Sequence, residues 1–404
     1  MDRILSNDAP VKEFVDFCGG IDSLSILSHT NWPMNSYRIA VVGATGAVGQ
    51  EILRTLERRN FPVSHLKPLA SSRSLGKTVE FNGKKLPIEE LRASAFADID
   101  YALFSAGAAR SREFAEACTK AGAVMIDNSS AFRMRPDVPL VVPEINAADL
   151  KQHKGIIAVP NCSAIIMGVP LWPLHQAAHI ERIIVSTYQS ASGAGAQAMA
   201  ELETQARAYA SGQPLKKEIF PHQIAFNVFS HNTAIAENGY NEEENKVIEE
   251  TRKIFHEPAL PIVATCIRVP VLRAHSESIV IETKRELSPE EAREILSQAP
   301  GVKVVDSREK NHFPMPLEAS GQFDVLVGRI RRDLSHPRGL ALFVSGDQLL
   351  KGAAWNAVQI LEHLVGKTER EIFYRKGFGT DPSTSLRMTE GENRITPAQA
   401  RRVS

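Results

Sequence analysis

The stretch 37-YRIAVVGATGAVGQEILRTLERR-59 decides the architecture of this chain. Ile39 to Val42 is a short continuous apolar run, the pattern of a strand buried on both faces. Glycines follow at once, and from Ala47 onward apolar residues recur at helical spacing, so the order is strand, tight turn, helix. Gly43, Gly46 and Gly49 form GxxGxxG, a variant of the dinucleotide fingerprint in which glycines let the backbone approach a pyrophosphate at a helix N-terminus. Three glycines alone are a weak signal, but the context strengthens it. The segments 98-DIDYALFSAG-107 and 123-AVMIDNSS-130 again read as strands ending in small polar turns, with 112-REFAEACTKAG-122 as a helix between them. The pattern predicts a doubly wound, Rossmann-like α/β domain over residues 37–160.

Further along, the runs RIIVSTYQSAS, IVATCIRVPV, SESIVIETK, FDVLVGRIRRD and GLALFVSGD read as longer strands, with helices at AMAELETQARAYA and EEENKVIEETRKIF. Strands in runs with separate helices predict a second, α+β domain over residues 161–345, built on a mixed, largely antiparallel sheet. Residues 346–366 carry a C-terminal helix, from about Leu349 to Leu364, expected to return to the first domain. Residues 1–36 read as an N-terminal extension, with Met34 as an alternative start, and the polar, turn-rich residues 367–404 as a disordered tail.

Composition narrows the function. The 404 residues are 43% apolar and 23% charged, ordinary for a globular protein. Lys plus Arg and Asp plus Glu are each 47, so no overall field attracts nucleic acid or an anionic membrane, and small-molecule partners are expected. No run of about eighteen apolar residues appears, and the N-terminal segment lacks the apolar core of a signal peptide. Four widely spaced cysteines, Cys18, Cys118, Cys162 and Cys266, form no CxxC pair. That argues against zinc or a disulfide framework; no metal is expected, and the compartment is a reducing, cytoplasmic one.

A lone cysteine is most often a small buried hydrophobe, which suits Cys118 among helix alanines and Cys266 in an alternating strand. Cys162 differs. In 158-AVPNCSAIIMG-168 it follows a Pro-Asn turn and opens an apolar, helical segment whose unpaired N–H groups favour a thiolate; Pro170 and Pro173 are expected to shorten or kink that helix. A thiolate beside a dinucleotide domain fits attack on an aldehyde, hydride transfer to nicotinamide and release of the thioester. That chemistry needs an acid/base, and His275 in HSESIV titrates in the right range, although a single histidine among twelve is more often structural.

GATGAVG, SSAFRM, PNCS, TYQSASGAG, CIRVPVLRAHSE and GDQLLKGAA occur in this order between about Tyr37 and Gly366. As an ordered set they closely resemble the aspartate-semialdehyde dehydrogenase family. The resemblance implies a homodimer or homotetramer that reduces β-aspartyl phosphate to aspartate 4-semialdehyde with NADPH, releasing inorganic phosphate, on the route to lysine, methionine and threonine. Cys162 would hold the acyl group as a thioester, with His275 as acid/base and Gln189 orienting the intermediate. Arg268 would pair with the substrate α-carboxylate, Glu243 with its amine, and Arg133 and Lys246 with phosphate, while Asn161 helps position the acyl group. Without the resemblance, Gln189 reads better as a strand-end amide satisfying a turn, and the alternative for Glu243 and Lys246 is a solvated i,i+3 ion pair; the resemblance tips the balance.

For the cofactor, the glycine loop supplies Gly43, Ala44, Thr45, Gly46, Ala47, Val48 and Gly49, and the resemblance adds Ser192, Gly193 and Gln348 near the nicotinamide. After the second strand, SHLKPLASSRSLG places Ser71, Ser72, Arg73 and Ser74 where an NAD enzyme often has an acidic residue. Arg73 suits a 2′-phosphate, so NADP is expected; the alternative is a polar turn with a solvated arginine. The nearest rival family is N-acetyl-γ-glutamyl-phosphate reductase, which shares fold, thiol chemistry and cofactor, but PNCS and EEENK match the aspartyl enzyme. A silent homologue acting as a binding module would not need Cys162, Gln189, Arg268 and His275 together.

Overall fold

The structure is a computed structural model and describes residues 36–366. The expected tail, the expected extension apart from Ser36, the alternative start at Met34 and Cys18 lie outside the described residues.

The opening stretch folds as its pattern dictates. Tyr37–Val42 is a strand with its last four residues buried, and Ala47–Arg58 is a helix whose Ile52, Leu53 and Leu56 sink into the core. That strand lies inside a six-stranded, all-parallel sheet in the order Glu89–Glu90, Val63–Ala70, Tyr37–Val42, Tyr101–Phe104, Val124–Asp127, Ile156–Ala158. The near-continuous apolar character of these strands follows from their burial on both faces. The glycine turn shows why three glycines are used. Gly43 has φ +86°, and a Cβ there would lie 2.9 Å from the Ser105 backbone. A Cβ on Gly49 would lie 2.2 Å from the Gly43 carbonyl, so this third glycine serves the close approach of helix to turn.

The second sheet has seven strands in the order Phe229–Ser230, Ile262–Arg268, Ile180–Gln189, His275–Thr283, Gly339–Gly346, Val325–Arg332, Val302–Val304. Four of its neighbouring pairs are antiparallel and two parallel, the mixed and largely antiparallel sheet expected.

Against the second sheet packs the helix Cys162–Ala178, 17 residues long and buried along most of its length. It continues through Pro170 and Pro173, against the expectation of a short helix. Asn161 caps its first turn by accepting from the Ser163 and Ala164 N–H groups, and tertiary packing around its apolar surface offsets the lost ladder bonds. At the C-terminal end, a π-helical turn, Leu350–Ala354, leads into the helix Trp355–Leu364, which packs against Ala47–Arg58. There Glu362 accepts two 2.8 Å hydrogen bonds from Arg59. No helix among the described residues is long and apolar enough to cross a membrane.

Candidate active site

Strand pairing sets the floor of the site. Arg268 pairs with Gln189 on the neighbouring strand, and His275 stands one step beyond the Ser276–Tyr188 pair, opposite Gln189 from the other side. Three adjacent strands therefore place Arg268, Gln189 and His275 in one rung, and all three are buried. Because side chains alternate along a strand, Cys266, Thr187 and Glu277 form a second rung on the same face, one pleat inward.

The helix of Cys162 lies over this face. Gln189 Nε2 donates to Ser163 Oγ at 2.8 Å and to Glu243 Oε1 at 3.1 Å, and Asn161 Nδ2 donates to the same Glu243 oxygen at 2.8 Å. Glu243 comes from the helix Glu242–Phe255, which starts with a capping box between Asn241 and Glu244. Its Oε2 lies 3.8 Å from Lys246 Nζ. The network continues through His231: Glu243 N–H donates to Thr233 Oγ1, Thr233 meets His231 Nδ1, and Arg268 Nη2 reaches His231 Nε2 at 2.7 Å. Arg268 Nη1 donates to the Ser190 carbonyl, while its Nε is buried without a partner. Thus no carboxylate of the described residues occupies the Arg268 fork.

Arg133 is also brought to the site, held by Glu250 Oε1 at 3.1 Å and the Asn128 carbonyl. Glu250 Oε2 accepts from the Asn161 N–H, so the turn before Cys162 is tied to the same pair. Gln348 donates to Ser192 Oγ and accepts from Ala274 N–H, and Ser192 meets Ser190 at 3.0 Å. A Cβ on Gly193 would stand 3.0 Å from Arg268 Nη1 and 3.1 Å from His275 Nε2, so only glycine leaves this approach open.

Burial sets the protonation states. It pushes the Cys162 thiol up to about 12, with Glu243 adding to the rise and Arg133 and Arg268 opposing it. The helix N-terminus alone had predicted a favoured thiolate; burial and Glu243 outweigh it, and the resting thiol is neutral. Burial and then Arg268 push His275 down to about 3. Ser190 N–H donates to His275 Nδ1 at 3.1 Å, which leaves the ring proton on Nε2. Burial works against ionising Glu243, but His231, Asn161, Lys246 and Gln189 together hold its carboxyl below the usual range.

Several of the residues expected to bind the nucleotide line a cleft of about 540 Å³ along the C-terminal ends of the parallel strands, the usual ligand position in such sheets. Gly43, Thr45, Gly46, Ser71, Ser72 and Arg73 line it; Ala44, which is fully buried, and Ala47, Val48, Gly49 and Ser74 do not. The glycine turn and the open N-terminus of Ala47–Arg58 suit a dinucleotide pyrophosphate.

Family models match both halves: semialdehyde dehydrogenase, NAD binding domain, over residues 38–153, and semialdehyde dehydrogenase, dimerisation domain, over residues 171–351. Aspartate-semialdehyde dehydrogenase of Synechocystis is 58% identical over 328 residues, 81% of this chain and 97% of the relative. The chain belongs to the aspartate-semialdehyde dehydrogenase family. The Aquifex aeolicus aspartate-semialdehyde dehydrogenase is 53% identical over 333 residues, 81% of this chain and 98% of that one. The crystal structure of aspartate semialdehyde dehydrogenase II from Vibrio cholerae, 43% identical, superposes with a TM-score of 0.80 over 82% of this chain and 99% of its own.

As a semialdehyde dehydrogenase the chain is an oxidoreductase with a nicotinamide-dinucleotide domain and a dimerisation domain. Sequence reasoning missed several residues at its site. Glu250 was legible: with Glu243 and Lys246 it forms an i, i+3, i+7 stripe on one helix face. His231 and Thr233 lie in irregular chain with no periodic signal, and Arg110, Glu113 and Phe114 reach the nucleotide cleft from a helix read only as packing. One other donor group, His175, His179 and Glu257, resembles a metal-ligand set. However, His175 Nδ1 accepts from Ile180 N–H, which puts the ring proton on Nε2 and leaves no lone pair there for a metal.

Proposed function

We propose that the protein reduces β-aspartyl phosphate to aspartate 4-semialdehyde, releasing phosphate through a thioester on Cys162, in lysine, methionine and threonine biosynthesis. The observation that carries this reading is the single hydrogen-bonded network joining Asn161, Gln189, Glu243, Arg268 and His275 around the Cys162 helix. Arg268 has no carboxylate partner, and its unpartnered Nε–H and remaining Nη–H groups are offered to an α-carboxylate. Glu243 offers an ionised carboxylate to an α-ammonium, and Arg133 with Lys246 offers positive charge to phosphate.

In the first half-reaction, Cys162 sulfur bonds to the acyl carbon and the carbon–oxygen bond to phosphate breaks. The thiol proton leaves on the phosphate, so charge balances without ionising His275, whose Nε2–H is free to donate to the carbonyl oxygen. When bound, reduced nicotinamide supplies the hydride for the second half. The carbon–sulfur bond then breaks as the aldehyde carbonyl forms, and Cys162 regains a proton from water with His275 as relay. Gln189 and Asn161 hold the acyl group in place.

The cofactor reading is NADP, supported by Arg73 at the cleft. Residues 37–160 would bind it and 161–345 carry catalysis and dimerisation, as a homodimer or homotetramer. The unpaired Cys118, Cys162 and Cys266 suit a reducing cytoplasm. The test is NADPH formation from aspartate 4-semialdehyde with and without phosphate. Phosphate-independent turnover, or none, overturns the reading.

A further inference from the structure

The π-helical turn beside the nucleophile is held by a charge that the reaction does not use. Lys351 is fully buried, yet its ammonium has three acceptors: Glu144 Oε2 at 2.5 Å, Asn356 Oδ1 at 3.0 Å and Gln359 Oε1 at 2.7 Å. The other Glu144 oxygen accepts from Gln359 Nε2, and Asn356 Nδ2 donates to the Val141 carbonyl, so the cluster closes on itself. It joins the short helix Pro143–Asn146 to the π turn and the final helix.

The turn's widened backbone is explicit in two bonds that skip five residues, Gly352 N–H to Asp347 O and Ala354 N–H to Leu349 O. The residue after Lys351 faces the nucleophile: a Cβ on Gly352 would lie 2.8 Å from Cys162 Cβ and 3.3 Å from Gln348 Cβ. At the front of the turn, Gln348 is clamped by Ala274 and Ser192. A π turn carries one more residue than an α turn would, so it persists only where side chains over-determine it.

We propose that Lys351 is a positioning residue for Cys162: its buried pair with Glu144 keeps the π turn open, so that the bare backbone of Gly352 forms a wall against the nucleophile. Without the pair, the turn can tighten toward α geometry, shifting Gly352 and Gln348 by part of a turn and loosening the sulfur's setting.

This rests on Cys162 being the nucleophile, which Cys162→Ser tests separately; alkylation of the Cys162 thiol reads its setting whatever the turnover. The experiment measures iodoacetamide modification of the Cys162 peptide by mass spectrometry across pH, together with kcat, KM and NADP affinity. Lys351→Met leaves Glu144 buried and unpaired and is expected to fold poorly. Lys351→Met/Glu144→Gln removes both charges and should fold. It is expected to keep NADP affinity and KM within about threefold while kcat and the alkylation rate fall ~10- to 100-fold and the alkylation pH profile moves. Gly352→Ala should do the same with the ion pair intact. Wild-type alkylation and kcat in either the double variant or Gly352→Ala overturn the proposal.

Discussion

Asn161 and Glu243, 82 residues apart, are joined by a 2.8 Å hydrogen bond from amide Nδ2 to carboxylate Oε1. The other end of the same amide caps the Cys162 helix. One side chain thus fixes both the start of the Cys162 helix and the carboxylate proposed to meet the substrate amine.

Cys162→Ser should fold with an unchanged melting temperature and lose at least about a hundredfold in kcat, because a serine hydroxyl has no adjacent base to ionise it. Replacing Cys118 or Cys266 with serine should do the reverse, lowering stability and sparing turnover, since both are buried. Thermal melts beside steady-state rates separate the two classes, and a serine enzyme of near wild-type rate would end the covalent mechanism.

Glu243→Gln should narrow the preference for aspartate 4-semialdehyde over N-acetylglutamate 5-semialdehyde. The acetylated amine carries no charge for Glu243 to meet, and an unpaired buried carboxylate costs about 1–3 kcal/mol or more. Specificity constants for the two aldehydes are the measurement. Unchanged discrimination would remove Glu243 from the amine contact.

Arg73→Ala should weaken NADP binding and leave NAD binding nearly untouched. A lost charge-assisted hydrogen bond of about 1.5–3 kcal/mol corresponds to roughly 10- to 100-fold in affinity. Equal losses for both dinucleotides would make Arg73 a general contact only.

Stability should fall on acidification from neutral pH. Burial pushes His275 down to about 3 and His231 down to about 4 in the folded chain, whereas both titrate near 6.5 when unfolded. Between those values the unfolded chain binds more protons, so the stability these groups confer is complete above about 6.5 and is lost toward pH 4 and then 3. Urea midpoints from pH 7.5 to 4.5 should drop, and less so in His275→Asn/His231→Asn.

Glu277 gives the opposite slope. It is buried, neither carboxyl oxygen has a hydrogen-bond partner, and burial raises it well above its ordinary value of 4.5. The folded chain therefore holds a proton that the unfolded chain releases above about 4.5, so stability declines as pH rises until Glu277 itself ionises. Glu277→Gln removes that decline and should be relatively more stable at pH 8 than at pH 5. Parallel pH–stability curves for the two proteins would refute a neutral Glu277.

The parts of the fold written locally were legible. The run from Tyr37 to Arg59 carries its own strand, turn and helix signals, and the later strands show their apolar runs. The helix start at Cys162 was legible because Pro160, Asn161 and Cys162 mark it in three residues. What escaped depends on long-range geometry. The 17-residue helix survives two prolines through packing that no local rule sees. The neutral thiol follows from burial, which cancels the helix-terminus effect that the sequence does display. His231 enters the site only because its chain crosses beside Arg268.

The rung of Arg268, Gln189 and His275 also makes the site an internal gauge of correct folding. If any one of those strands slipped by a single residue, its contribution would turn to the opposite face of the sheet and vanish from the pocket altogether. Misassembled molecules should consequently be inert instead of sluggish, and the specific activity of a refolded preparation should count its correctly zipped fraction.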